Sequence, residues 1–212
     1  MGVTTTTQPT ETKRGDREGR RRDILRAAAD LLHTKGYSEL SMRDIAGSAG
    51  VSAGTPYSYF AGKEEIFATL LTQRFEELAA KLDRLGGTGD RLEDLFMAVA
   101  PEFDGLHDDF AQHITAWLKT SDDSSEITVR LGEACETAMA ALEKAVRLTA
   151  GRAGRELAPG KLTATLLWSM LMGLANARVS GVHRLYGHEP GDLVELSVAT
   201  LLSGLVVNDD GK

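Results

Sequence analysis

The chain has almost no cysteine: Cys135 is the single one in 212 residues. That excludes an internal disulfide and any thiol-rich metal cage, and it suits a reducing cytoplasm. Apolar runs are short as well. None approaches the roughly 20 residues that a membrane-spanning helix needs. The beginning of the chain, Thr-rich and then Arg-rich, has no apolar core of a secretory signal. A cytoplasmic protein with no membrane partner is expected. Sustained period-two alternation between hairpin turns is missing, which argues against a sheet, and no fixed-length repeat is present.

Enzyme signatures are also lacking. Gly154 to Gly160-Lys161 has a glycine spacing one residue too long for a phosphate loop, and Leu162 stands where that loop needs Ser or Thr. There is no G-x-S-x-G elbow. His33, His107, His113, His183 and His188 show no metal-ligand spacing. No catalytic residue, cofactor or metal is expected, and the chain reads as a non-enzyme.

Helical periodicity is what the sequence does contain. Residues 1–16 are apolar-poor and read as a disordered tail. Ile24, Leu25, Ala28, Leu31 and Leu32 then form one apolar face, with Gly36 as a stop. Ser41-Met42-Arg43-Asp44 has the form of a capping box and opens a short second helix. Ser52 can cap a third, running to about Tyr59. A fourth starts at Lys63-Glu64-Glu65 and carries Phe67, Leu71, Phe75, Leu78, Leu82 and Leu85 until the glycines at 86, 87 and 89 break it. Further helical stretches run through Leu92 to Val99, Phe110 to Leu118 and Ile127 to Leu142. After a break at 151–160, apolar helices at about 161–182 and 192–207 close the pattern. The expectation is all-α, about nine helices.

Charge divides unevenly along this pattern. Residues 1–63 hold ten basic and seven acidic side chains, a balance of +3, while 64–212 hold fourteen and twenty-four, a balance of −10. A nucleic-acid-facing end joined to a body facing something else would be built this way.

The stretch from Gly50 to Phe67 reads GVSAGTPYSYFAGKEEIF. Together with Ile24-Leu25, Ala27-Ala28, Leu31-Leu32, Gly36, Ser41 and Ile45-Ala46, it resembles the signature of the TetR family of transcriptional regulators. The resemblance implies a helix-turn-helix DNA-binding domain over 17–63 and a ligand-binding and dimerisation domain over 64–212. Each position also has a physical reason. Gly50 tolerates the positive φ of the turn. Ser52 caps the recognition helix, or that helix begins at Ala53, which places Pro56 in the first turn where its missing N–H costs little. The second option is favoured. Gly54 has no side chain to clash with a phosphate backbone, and Thr55 can contact a phosphate or a thymine methyl. Tyr57 and Tyr59 offer hydroxyls to phosphates or pack on the helix base, and Lys63 neutralises another phosphate. Ser41 would face the flanking backbone, and Arg43 either that backbone or a base edge. Ala53 stands where the family is often basic, which leaves base readout leaner. Arg17, Arg20, Arg21 and Arg22 precede the first helix, either as a minor-groove arm or as a solvated helix start.

The last two helices carry more apolar surface than a monomer needs, from Leu162 to Leu174 and from Leu193 to Val206. The family resemblance implies that they pair two chains into a homodimer, which would read a palindromic operator in double-stranded DNA. Phe96, Phe103, Trp117, Met139, Trp168 and Met172 lie on helices that surround the family's ligand cavity, where they act either as its walls or as ordinary core. Asn176 and Arg178 either orient a ligand, face solvent or face the partner. The function so implied is a repressor released by a small-molecule effector. The alternatives are an activator of the same type, or a helical interaction module that binds no DNA.

Overall fold

The computed structural model describes residues 13–111, 113, 114, 117, 119, 122, 124–154, 161–185, 187 and 189–205. Every regular element among them is helical. The chain divides into two compact units, Met1–Ile66 and Phe67–Lys212.

The first unit contains α1 (Lys13–Glu39), α2 (Met42–Ser48) and a single 3₁₀ turn at Pro56–Ser58. Helix α1 begins inside the stretch read as a tail, and residues 1–12 of that tail lie outside the described residues. Gly36, with φ 75° and ψ 166°, breaks α1 where a stop was expected, a conformation open to glycine because it has no Cβ. The turn that follows brings Tyr37 and Leu40 into the core with Ile24, Ala28, Leu32, Ile45 and Phe60, all at most 2% exposed.

Helix α3 (Lys63–Leu85) spans the boundary between the units and has the length and stripe read from the sequence. Its Phe67, Leu71, Leu78 and Leu82 are buried, and the chain leaves it at Gly86, where a Cβ would sit 3.0 Å from the Ala145 backbone. The second unit continues with α4 (Leu92–Leu106), a π turn at His107–Ala111, α5 (Glu126–Arg152), α6 (Lys161–Val179), the short α7 (Val182–Leu185) and α8 (Pro190–Leu205). Helix α6 packs on α4, α5 and α8, so it forms the centre of this unit. Ser125 caps α5 by accepting from the Thr128 N–H at 3.3 Å. Part of the expected break at 151–160, the helix reading at Leu118 and the apolar reading at Val206 fall outside the described residues. No helix among the described residues is long and apolar enough to cross a membrane.

Candidate nucleic-acid interface

The first unit is built around a short helix, a tight turn and a second short turn. Ser41 starts α2: its Oγ accepts from the Asp44 N–H at 3.2 Å and donates to Asp44 Oδ2 at 2.8 Å. The capping box therefore closes hydroxyl to carboxylate. That bond, with the Lys35 ammonium 3.6 Å away, holds the Asp44 carboxyl below its ordinary value. Arg43, next to it, is exposed.

Helix α2 ends in a Schellman arrangement. Gly50 (φ 67°) donates to the Gly47 carbonyl at 3.2 Å and Val51 to that of Ala46 at 3.0 Å. Both bonds satisfy carbonyls that the helix end would otherwise leave open, and they set the direction in which Ser52 leaves.

The recognition segment corrects the sequence reading. No α-helix runs from Ser52 or Ala53 to Tyr59; Ala53-Gly54 form a turn, and only Pro56–Ser58 are helical, as 3₁₀. Pro56 accounts for this, since it has no N–H to donate back to the Ser52 carbonyl. The Thr55 N–H donates to that carbonyl instead, at 2.9 Å, and Thr55 stands at the start of the 3₁₀ turn without its side chain capping it. Ser52 is thus not a helix cap. Its hydroxyl pairs with Thr55 Oγ1 at 2.8 Å.

This geometry sorts the candidate residues by exposure. Pro56 and Phe60 are buried and anchor the segment, while Ser52, Ala53 and Gly54 are exposed and Thr55 is half-buried. Tyr57 projects outward with 60% of its surface accessible. A Cβ at Gly54 would meet nothing within 4 Å, so the chain's own packing does not demand glycine there. Tyr59 is half-buried and lies under the Arg17 guanidinium, 5.7 Å from its ring centroid. Arg17, Arg20, Arg21 and Arg22 lie within α1, not ahead of it.

Lys63 is bonded within the first unit. Its Nζ donates to the carbonyls of Tyr37 at 3.1 Å and Ser38 at 3.5 Å, and it sits 4.7 Å from the Tyr37 ring centroid. Gly36 turns those carbonyls toward Lys63, a consequence of the kink that periodicity does not reveal. Beside it, Glu65 Oε2 accepts from the Ala61 N–H at 2.7 Å and so caps the entry to α3.

The residues proposed to line a ligand cavity fall into the second unit. Phe96, Phe103 and Trp117 are buried, and Met139, Trp168 and Met172 are half-buried. Two aromatic groups hold several of them: Trp168 packs edge-on against Phe103 at 4.9 Å and near Phe75 at 5.8 Å, while Trp117 stacks on Phe67 at 5.8 Å. Phe75 and Phe110, the latter 5.5 Å from Phe67, belong to these groups, yet only their place on apolar stripes marked them in the sequence. Asn176 is exposed, so it does not join this interior; it lies on the outer side of α6, which also carries Leu162 and Leu166. Arg178 is committed internally: Nε donates to both Asp104 oxygens at 2.9 and 3.0 Å.

Comparison with known proteins decides what this arrangement belongs to. The family model described as bacterial regulatory proteins, tetR family, matches residues 24–70. The transcriptional regulator EthR of Mycolicibacterium smegmatis is 31% identical over 207 residues, covering 93% of this chain and 92% of that protein. The chain belongs to the TetR family. The transcriptional repressor KstR2 of Mycobacterium tuberculosis is 35% identical over 88 residues, 40% of this chain, and the match spans only 44% of that protein. Among solved structures, the fatty acid degradation regulator FadR of Bacillus halodurans shares the fold, with a TM-score of 0.62 at 21% identity over 87% of this chain and 95% of that one. The TetR-family assignment thus rests on both the helix-turn-helix segment and nearly the full length of EthR.

Proposed function

We propose that this TetR-family chain is a ligand-responsive transcriptional repressor that binds a palindromic operator as a homodimer and is released by a small-molecule effector in the cytoplasm. The observation that carries the reading is the exposed ring of Tyr57, standing between buried Pro56 and Phe60 on a turn fixed by Gly50. A large aromatic side chain held outward on a rigid turn, beside small exposed Ala53 and Gly54, is a surface made for close approach by a partner. Ser52, Thr55 and Tyr57 supply hydroxyls to phosphates or base edges, and exposed Arg43 supplies charge at the start of α2. Ser41 and Lys63 contribute to DNA binding to the extent that they give up the internal bonds described above.

Pairing two such readers on a two-fold axis is needed because one short segment reads only a few base pairs. Leu162 and Leu166 on α6 and Leu196 on α8 are 84%, 47% and 65% exposed, and these two helices pack together. That apolar face supports dimerisation through the last long helices. An effector of apolar character would lodge among Phe96, Phe103, Trp117, Met139, Trp168 and Met172, with α3 as the lever joining its site to the reader. Reciprocal linkage then requires that the effector weaken operator binding as far as the operator weakens effector binding. The names of EthR and KstR2, a regulator and a repressor of transcription, agree with this reading.

Selection of bound duplexes from a random pool with the full chain tests the proposal, followed by a screen for compounds that release the selected duplex. A two-fold symmetric winner and at least one releasing compound are expected. A chain that enriches no sequence has no operator.

A further inference from the structure

We propose that Arg17 and Arg21 form a phosphate clamp docked on the recognition segment, so that the opening turns of α1 are part of the DNA-binding surface. The inference rests on the DNA-reading function proposed above. Residues four apart lie on one helix face, and here both guanidinium groups sit over rings of the segment that follows the 3₁₀ turn. Arg17 lies 5.7 Å from the Tyr59 ring centroid and Arg21 lies 4.9 Å from that of Phe60. A guanidinium over an aromatic face is held in position while its N–H edges stay available to an acceptor.

Three other cations of this unit are already engaged. Arg26 pairs with Asp23 at 2.9 Å, Lys35 faces Asp44 at 3.6 Å, and Lys63 is held by the carbonyls of Tyr37 and Ser38. Among the described residues, Arg17 and Arg21 make no ion pair with a carboxylate, although aspartates and glutamates are frequent along α1. Two cations positioned over the rings of Tyr59 and Phe60, with no carboxylate partner among the described residues, fit the phosphodiester backbone of a duplex. Ala53 adds no charge to the turn, so this pair supplies cationic charge that the recognition segment itself lacks. Because both arginines lie within a helix packed on the reader, they are not a free arm entering the minor groove.

The test uses the full chain and its selected duplex, with affinity measured from about 50 to about 200 mM salt. Arg17→Gln and Arg21→Gln each remove one phosphate contact per protomer. In a dimer, each should flatten the slope of log affinity against log salt by about 2, since each contact contributes about 0.9. The affinity ratio of wild type to variant should then shrink about tenfold across that range. The loss should be equal for A·T-rich and G·C-rich flanks, and Arg17→Lys should restore the slope. Thermal melting of the free variants checks folding. If Arg21→Gln unfolds the unit, exposed Arg17 still decides the matter. An unchanged slope, or a loss confined to A·T-rich flanks, overturns the clamp while leaving the operator-binding function intact. A wild-type chain that binds no duplex overturns both.

Discussion

The two units differ in what they present to solvent. In the first, the decisive side chain is the one kept outward: Tyr57 is 60% exposed while its neighbours Pro56 and Phe60 are buried. In the second, the outward side chains are leucines 162, 166 and 196, on helices whose opposite faces fill the core with Ala164, Leu167, Leu171 and Val194. A polar and aromatic turn held rigid suits a partner that must come and go, such as DNA. A bare apolar face suits a partner that stays, such as a second copy.

The sharpest way to break this comparison is to remove an anchor of the reader. Phe60→Ala should cost about 3–5 kcal/mol in the first unit, by lost burial and the cavity left behind. Chemical denaturation followed on the full chain checks this, and a loss under 1 kcal/mol would mean that the turn is not held by its buried neighbours.

That anchor also shows how far the sequence could be read. The Ser41 cap, the Gly36 break, the Gly50 turn and the full extent of α3 were legible, because each depends on local rules of capping, glycine conformation and apolar spacing. The recognition segment was less so. The favoured expectation, that Pro56 falls in the first turn of a helix at little cost, fails: Pro56 reduces the expected helix to a 3₁₀ turn. Contacts between positions distant in sequence were not legible at all. Lys63 reaches back to Tyr37 and Ser38, Arg178 crosses to Asp104, and Arg17 and Arg21 fold onto Tyr59 and Phe60. Periodicity assigns a side chain to a face but does not say which partner that face meets.

The second unit offers the converse test. Leu166→Glu combined with Leu196→Glu should leave the melting of the isolated chain nearly unchanged, since both side chains are exposed in it. If they lie in the dimer interface, the same change should weaken association by at least 30-fold, or about 2 kcal/mol, as measured by sedimentation. Unaltered self-association would remove these leucines from any interface.

Smaller effects sharpen the account of the turn. Gly50→Ala should cost about 1–2 kcal/mol, the penalty of a left-handed backbone for an L-residue. A Cβ there meets nothing within 4 Å, so the cost is conformational and a thermal melt should show it without loss of helix content.

Ser41→Ala should cost about 1 kcal/mol at neutral pH through the lost cap. The Asp44 carboxyl is held below its ordinary value chiefly by the Ser41 hydroxyl, then by Lys35. Its share of stability is therefore complete above the unfolded carboxylate value and is lost as pH falls through the lower, folded one. The gap between wild type and Ser41→Ala should narrow in acid, and a gap that widened there would contradict the bond.

Hydrogen exchange of the full chain, measured with and without its selected duplex, tests the reader most directly. Slowed exchange across residues 41–60, strongest from Ser52 to Tyr59, is the result the account requires. If the duplex binds while this stretch exchanges as before, DNA is held elsewhere on the chain and the assignment of the reader is wrong.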